Sequence, residues 1–235
     1  LILSPPSRAV PERFWDMVER RKRGEPIAYI TGRRAFWNIE LHVGPGVLVP
    51  RPDSEVLIAS AIEHFEGSSG PDRILDLGTG PGTLLLAALD IWPDASGLGV
   101  DVSRQALSYA AANARRLGFD SRATLQLGNW AEGIAERFDL LLCNPPYVAE
   151  GDELGRGVAE YEPDEALFAG EEGLGAYRAL APQLPALLHP GGLAAVEIGP
   201  SQAAAVVGLL TRDGLRAEIA QDLGGRDRAV LLTWT

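Results

Sequence analysis

The chain has 235 residues, 46% of them apolar and 23% charged; that suffices for one sizeable core and excludes a disordered composition. No stretch approaches the roughly 20 apolar residues of a membrane span, and the first 15 residues, "LILSPPSRAVPERFW", lack the charged start and long apolar run of a signal peptide. The net charge is −11, with residues 1–37 at +4 (eight Lys/Arg against four acids) and the remainder at −15, so the acidic body argues against non-specific or stable direct binding of nucleic acid.

The basic N-terminal stretch (Arg8, Arg13, Arg20, Arg21, Lys22, Arg23, Arg33, Arg34) serves either an acidic partner or a solvated helix face. "PERFWDMVERRKRGEP" predicts a helix with Phe14, Met17 and Val18 as its stripe and Gly24 as its stop. "FWNIELHVGPGVLVP" predicts a hairpin that turns at "GPG" and returns through "VLV". "PRPDSEVLIASAIEHF" follows as a loop and helix with Asp53 as N-cap.

From residue 73 strands and helices alternate. "RILDLG", "SGLGVDV", "ATLQLGN", "FDLLLCN" and "LAAVEIG" are the strands. "TLLLAALDIW", "SRQALSYAAANARRLG", a short turn after "ATLQLGN", "GLGAYRALAPQLPALL" (bent at Pro182 and Pro185) and "SQAAAVVGLLTRDG" are the helices. Residues 148–172 are a long polar loop, and "RAEIAQDL" with "RAVLLTWT" closes the chain as an antiparallel pair. Apolar strands alternating with helices mean a parallel sheet covered on both faces. The single cysteine, Cys143, forms no intramolecular disulfide, which fits a reducing cytoplasm, and it reads as a small buried residue. His42, His64 and His189 lack metal-ligand spacing, so no metal site is expected.

Two stretches carry chemistry. "LDLGTGPG" sets Gly78, Gly80 and Gly82 between the first strand and its helix, where open α/β sheets bind ligands. The dinucleotide pattern G-x-G-x-x-G fails, because Thr83 holds the sixth position. Asp101 ends the next strand, 25 residues after Asp76, where an acid accepts from both ribose hydroxyls. Glycines plus this acid suit a nucleoside without a diphosphate; S-adenosylmethionine is such a molecule, and Asp76 is placed to meet its ammonium group. The competing reading of such a turn is tight packing alone.

The second stretch is "NPPY", Asn144 to Tyr147, which ends the fourth strand. That strand adjoins the first in doubly wound sheets, so its end borders the same crevice. A carboxamide nitrogen is a poor nucleophile because its lone pair is delocalised. Two acceptors, the Asn144 side-chain oxygen and the Pro145 carbonyl, can hold its N–H groups and stabilise the positive charge that grows on nitrogen. Orientation adds a share of the about 7–11 kcal/mol available to aligned reactions. Pro145 and Pro146 lock the loop, and Tyr147 can pack on a flat group. No strong base is needed, since the methylated product loses its proton readily. The plain alternative is an ordinary Asn-Pro-Pro turn.

With these residues placed, the chain resembles the HemK/PrmC glutamine methyltransferases. The likeness rests on "RRKRGEPIAYITGRRAFW", "VPRPDSE", "ILDLGTGPG", "VDVS", "NPPYV", "YEPDEALFAGEEGL" and "EIG", in that order. It implies a class I S-adenosylmethionine-dependent, Rossmann-like α/β fold. The sheet would have seven mostly parallel strands and an antiparallel C-terminal pair. It implies residues 1–34 as the end of an N-terminal helical docking domain, 35–52 as a hairpin linker and 53–235 as the catalytic domain. It also implies a cytoplasmic enzyme whose protein partner is a peptide chain release factor, methylated at the glutamine of its Gly-Gly-Gln motif. Carried over by match, Asp76, Gly78, Thr79, Gly80, Gly82, Asp101, Val102, Asn129, Trp130 and Asn144 are cofactor positions. Asn144, Pro145, Pro146 and Tyr147 form the amide-holding set, and Phe36 with the 50–53 loop lines the cofactor's approach. Two departures stand out: Asn129 precedes Trp130 where the family often has Asp, so its adenine partner is neutral; and most of the helical bundle is absent, so catalysis on isolated substrate is expected to be weaker than in a full-length chain.

Some residues keep two readings. Glu197 either orients the substrate loop or is an exposed strand-end acid, and Glu160, Glu162 and Asp164 form either a substrate lid or a solvated loop. Trp15 and Trp37 read as packing residues. Competing functions are methylation of a ribosomal-protein glutamine or of an amino group on a nucleic-acid base, the latter wanting a basic cleft; a non-catalytic cofactor-binding scaffold, disfavoured by the intact "NPPY"; and a nicotinamide oxidoreductase, disfavoured by Thr83.

Overall fold

A computed structural model describes residues 11–211 and 213–235. Arg8, the first ten residues of the expected docking segment, and Arg212 of the expected 201–214 helix lie outside the described residues.

Beyond residue 72 the alternation becomes one sheet. Strands β3 (Arg73–Leu77), β4 (Ser96–Asp101), β5 (Ala123–Leu127), β6 (Phe138–Cys143), β7 (Leu188–Glu197), β8 (Leu215–Gln221) and β9 (Asp227–Trp234) lie in the order β5-β4-β3-β6-β7-β9-β8. The first five run parallel, and β9 inserts antiparallel between β7 and β8. This is the fold expected from the sequence. β3 and β6 are neighbours, with Leu77 opposite Cys143. The carboxyl ends of β3, β4, β6 and β7 therefore share one rim.

Helices cover both faces because the central strands are apolar on both. On one face α3 (Glu55–His64), α4 (Thr83–Ile91) and α5 (Arg104–Leu117) pack with Ile74, Leu140 and Leu142. On the other, α6 (Gly175–Leu180), α7 (Leu184–Leu187) and α8 (Ala203–Leu210) pack with Leu75, Leu77 and Leu141. The break between α6 and α7 contains Pro182, and Pro185 sits in the first turn of α7. No helix forms after β5, where residues 128–137 are turns.

The N-terminal part differs from expectation in detail. α1 (Glu12–Lys22) forms and Gly24 follows it in a left-handed turn (φ +102°), but α1 buries no residue among those described. Phe14 and Trp15 are 47% and 57% exposed and meet edge to face, while Met17 and Val18 are half-buried where α1 meets the next helix, so the predicted apolar stripe is only partly covered. After α2 (Ile27–Thr31), β1 (Arg33–Phe36) pairs with β2 (Ile39–His42). The hairpin turns at Trp37-Asn38, not at "GPG", and "VLV" lies outside any strand, with Val47 and Val49 buried and Leu48 half-buried. The register decides this: Phe36, Ile39 and Leu41 all face the core when Phe36 pairs with Ile39. Asp53 lies inside a 3-10 turn, Pro52–Ser54, and does not cap α3.

One buried side chain ties this appendage to the sheet. Asn113 of α5 is fully buried; its Oδ1 accepts from the His42 amide (2.7 Å), and its Nδ2 donates to the carbonyls of His42 (3.0 Å) and Pro81 (2.9 Å). All three partners lose their bond in Asn113→Ala. We expect that change to destabilise the protein by about 2–4 kcal/mol in urea unfolding; a loss under about 1 kcal/mol would mean that the backbone partners find other bonds.

Candidate active site

The shared rim is a cleft. Its first chamber, about 210 Å³, lies against Gly78, Gly80, Asp101, Val102, Asn129 and Trp130. The segment Gly46–Leu48 forms one wall and Pro163, Glu165 and Ala166 another. A smaller chamber, about 40 Å³, reaches inward to Asp76, Thr79 and Thr83. A third hollow, about 290 Å³, opens against Arg51, Tyr147, Val148 and Leu167. Asn144 and Leu48 line all three, so they stand where the chambers meet.

The turn after β3 shapes the first two chambers. Gly80 has φ +56°, and a Cβ there would meet nothing within 4 Å, so its backbone faces open space. Gly82 plays another part: at φ +87° it begins α4, and a Cβ would sit 2.7 Å from Leu86 Cδ1, so it packs the helix and does not touch a chamber.

Asp76 is 1% exposed. Thr79 Oγ1 (2.7 Å) and the Leu85 amide (3.1 Å) both donate to its Oδ2, and Oδ1 has no partner among the described residues. Burial pushes its pKa up to about 7, against the pull of those two donors. An orphaned carboxylate oxygen at the floor of a chamber calls for a cationic or donor ligand. Asp101 is half-buried: the Gly80 amide donates to Oδ2 and the Ser103 amide to Oδ1, both at 2.8 Å. Burial also raises its pKa, and the two amides oppose the rise. Those bonds fix the carboxylate while leaving lone pairs for a diol.

Trp130 holds a left-handed backbone (φ 50°), uncommon for an aromatic residue, and its ring approaches Gly78. Asn129 is exposed and donates to Glu132 Oε1 (3.0 Å). Asn144 donates through Nδ2 to Ser54 Oγ (3.0 Å). Pro145 is buried beneath the rim and Pro146 lines the first chamber. Tyr147 donates to Glu197 Oε1 (3.3 Å); burial, then the Glu197 charge, raise its phenol pKa. Glu162 is 4% exposed and spans the cleft edge, accepting from the Val49 amide (2.9 Å) and Arg51 Nη2 (2.6 Å).

Similarity to known proteins agrees with this geometry. A "Methyltransferase domain" family model matches residues 69–199, and a "PrmC N-terminal domain" model matches residues 3–32. A release factor glutamine methyltransferase from Rhodospirillum rubrum is 46% identical over 92% of this chain and 66% of its own length. Those from Caulobacter vibrioides and Xylella fastidiosa are 44% and 42% identical, with 76% and 83% of their lengths covered. The chain belongs to the release factor glutamine methyltransferase family. It spans about two thirds of the Rhodospirillum relative. Among solved structures, a methyltransferase from Pyrococcus furiosus superposes with TM-score 0.63 at 18% identity, covering 92% of this chain and 97% of that one. A Thermus thermophilus 16S rRNA N2 G1207 methyltransferase, solved with AdoMet and guanosine, gives 0.60 at 21% identity, covering 86% and 49%. These two likenesses show the fold.

Within this release factor glutamine methyltransferase family chain, the sequence-chosen residues Asp76, Gly78, Thr79, Gly80, Asp101, Val102, Asn129, Trp130, Asn144, Pro146 and Tyr147 border the chambers, and Gly82 and Pro145 lie behind them. Phe36 does not reach the cleft; it is 1% exposed and packs in the core. Of the 50–53 loop, Pro50 and Arg51 line the inner chamber. Glu197 is 1% exposed, which removes its reading as an exposed acid. Glu160 and Asp164 are exposed, whereas Glu162 is buried. Trp15 is not a packing residue among those described, and Trp37 packs at the core margin. Cys143 is buried, with its thiol pKa raised by burial. Sequence reasoning missed Leu48 and Ser54; Ser54 lay inside the quoted "PRPDSE", but nothing local showed that it touches Asn144.

The raised Asp76 carboxyl destabilises the ligand-free fold above the pH of its unfolded titration, because the folded state binds the proton more tightly. Stability is thus lost as pH rises from about 4 towards 7. One oxygen accepts both internal bonds, so Asn can replace it. We expect Asp76→Asn to unfold later than the parent at pH 8 by about 1–4 kcal/mol, with the gap closing below pH 5. Melting curves across that range check it; equal curves at pH 8 would mean that Asp76 carries no ionisation penalty.

Proposed function

We propose that this chain transfers a methyl group from S-adenosylmethionine to the side-chain amide nitrogen of the glutamine in the Gly-Gly-Gln motif of a peptide chain release factor. The observation that carries the reading is the position of Asn144, where the Asp101 chamber, the Asp76 chamber and the Tyr147 hollow meet. The residues fit the cofactor: the unpaired Asp76 Oδ1 suits its ammonium group, Asp101 its ribose hydroxyls, and the apolar wall around Trp130 its base. When bound, S-adenosylmethionine supplies an electrophilic methyl group.

The chain's own residues do the rest. The hollow beside Tyr147 and Leu167 admits the glutamine side chain. Asn144 Oδ1, which makes no hydrogen bond among the described residues, accepts one N–H of the incoming amide, and the Pro145 carbonyl is assigned the other. These fixed dipoles stabilise the charge that grows on nitrogen without reorganising. The proton lost from nitrogen needs no strong base. Glu162, bonded to Val49 and Arg51, holds the long loop against the opposite wall and limits water in the cleft. Residues 1–34 are assigned to the docking side of the protein, 35–52 to the linker and 53–235 to catalysis. No helix among the described residues is long and apolar enough to cross a membrane, and the buried Cys143 suits a reducing cytoplasm.

The alternative, methylation of a base amino group, is opposed by the −15 charge of residues 38–235. Incubation with S-adenosylmethionine and a purified release factor should add one methyl to the Gly-Gly-Gln glutamine, read by peptide mass spectrometry. Asn144→Ala should keep cofactor affinity within about threefold and lower turnover by about 10²–10³. Methylation of an oligonucleotide in preference to the factor would overturn the assignment, and wild-type turnover in Asn144→Ala would remove Asn144 from the chemistry.

A further inference from the structure

We propose that Gln202 is a positioning residue for the methyl transfer: from outside the cleft it pins the exit of the Asn-Pro-Pro-Tyr segment, and so holds Asn144 Oδ1 and the Pro145 carbonyl where the substrate amide must meet them. The proposal rests on the reading above and names the residue that fixes its geometry. A segment that aims two acceptors at one nitrogen has to be held at both ends. Its entry is held by β6, whose last residue, Cys143, pairs with Leu77 of β3 on one side and Val196 of β7 on the other. Within the segment the rings of Pro145 and Pro146 fix φ, but ψ at each proline and both dihedrals of Tyr147 stay free. The prolines also lack the N–H groups that would tie the segment down. The exit therefore needs a tie from elsewhere in the chain.

Gln202 supplies it. The residue precedes α8, which is anchored through the buried Val206 and Leu210, and its half-buried side chain does not cap that helix. Its Nε2 donates to the carbonyls of Tyr147 (3.0 Å) and Gly173 (3.2 Å). The Gly199 amide donates to its Oε1 (3.0 Å). The Tyr177 hydroxyl, which donates to the Glu197 carbonyl (3.0 Å), lies 3.3 Å from the same oxygen. The three closest partners are backbone groups of fixed polarity, so the carboxamide has one orientation: oxygen toward an N–H, nitrogen toward two carbonyls. The Tyr147 carbonyl has no other donor among the described residues. The space is built around this amide. A Cβ on Gly173 (φ +67°) would sit 2.4 Å from the Tyr147 oxygen and 2.9 Å from Gln202 Nε2; one on Gly199 would sit 2.9 Å from Gln202 Oε1.

Gln202 borders none of the three chambers, so it touches neither cofactor nor substrate and acts through Tyr147. Its second bond, to Gly173, holds the end of the long loop. That loop runs beside the residue after Tyr147: the Val148 amide donates to the Leu167 carbonyl (2.9 Å), and the Ala169 amide to the Val148 carbonyl (3.0 Å). Tyr147, Val148 and Leu167 all line the hollow assigned to the glutamine side chain. One carboxamide thus sets the reacting segment and the hollow's wall against each other. A shift of about 1 Å in such a segment costs up to about 10²-fold in rate.

Two kinds of measurement test this, one of them without a release factor. In ¹H–¹⁵N spectra of the ligand-free protein, the Asn144 side-chain NH2 signals, assigned by their loss in Asn144→Asp, should shift or broaden in Gln202→Met. The two side chains share no hydrogen bond, so only a displaced segment carries the change. Calorimetry should find S-adenosylhomocysteine bound within about threefold of the parent affinity, because the chambers are intact. In release-factor methylation, kcat should fall about tenfold or more, with KM changing by less than about threefold. Gln202→Glu keeps the shape but, ionised at about pH 8, has no donor for either carbonyl, and should lose as much; either variant carries the test if the other does not fold. Parent kcat in both variants would overturn the proposal, as would Asn144 signals that stand still in both, or a loss confined to cofactor affinity. If the Asn144 signals move in Gln202→Met yet the parent protein methylates no release factor, the tie holds and only the assigned substrate falls.

Discussion

Three carboxylates at the carboxyl ends of parallel strands, Asp76 and Glu197 buried and Asp101 half-buried, are the constraint on which this protein depends. Asp76, next to last in its strand, is 1% exposed with one oxygen unpaired among the described residues, Asp101 is locked by two backbone amides, and Glu197 is 1% exposed and accepts from the Tyr147 hydroxyl. A carboxylate in such a place is costly unless something partners it. Two of the three, Asp76 and Asp101, line chambers of the cleft, where a ligand can partner them. Natural folds accept this kind of local penalty at functional sites.

The cleft is not a property of the sheet alone. Its walls come from segments far apart in the chain: the stretch after the hairpin, the long loop before α6, and the glycine turn after β3. Buried polar bonds join them. Asn113 links the hairpin to the glycine turn, and Glu162 links the long loop to Val49 and Arg51. Both are side chains with several partners each, so their loss would leave backbone groups unpaired as well as loosen a wall.

Fold and family speak to different questions. One solved structure that superposes on this chain, at 21% identity, is by its name a 16S rRNA methyltransferase. A shared sheet says where a ligand sits and not what is methylated. The substrate assignment therefore leans on the family and on the site: an apolar hollow beside Tyr147, an acceptor at the junction, and an acidic body unsuited to a polyanion.

Much of this was open to reading in one dimension. The alternation of apolar strands and helices specified the parallel sheet, because a strand buried on both faces must be apolar throughout. Glycines with Asp76 and Asp101, and "NPPY" at the end of β6, marked residues that border the chambers. Both are local signals, a backbone requirement or a side chain at a strand end. Where local pattern misled, packing had overruled it: the hairpin turned at Trp37-Asn38 so that Phe36, Ile39 and Leu41 could share one face, and Phe36 went to the core. What tertiary structure alone decided is the company each side chain keeps. Ser54 meets Asn144 across 90 residues, and Tyr147 meets Glu197 across 50. A buried polar group takes its polarity and its pKa from such neighbours, and neighbours in space leave no periodic trace along the chain.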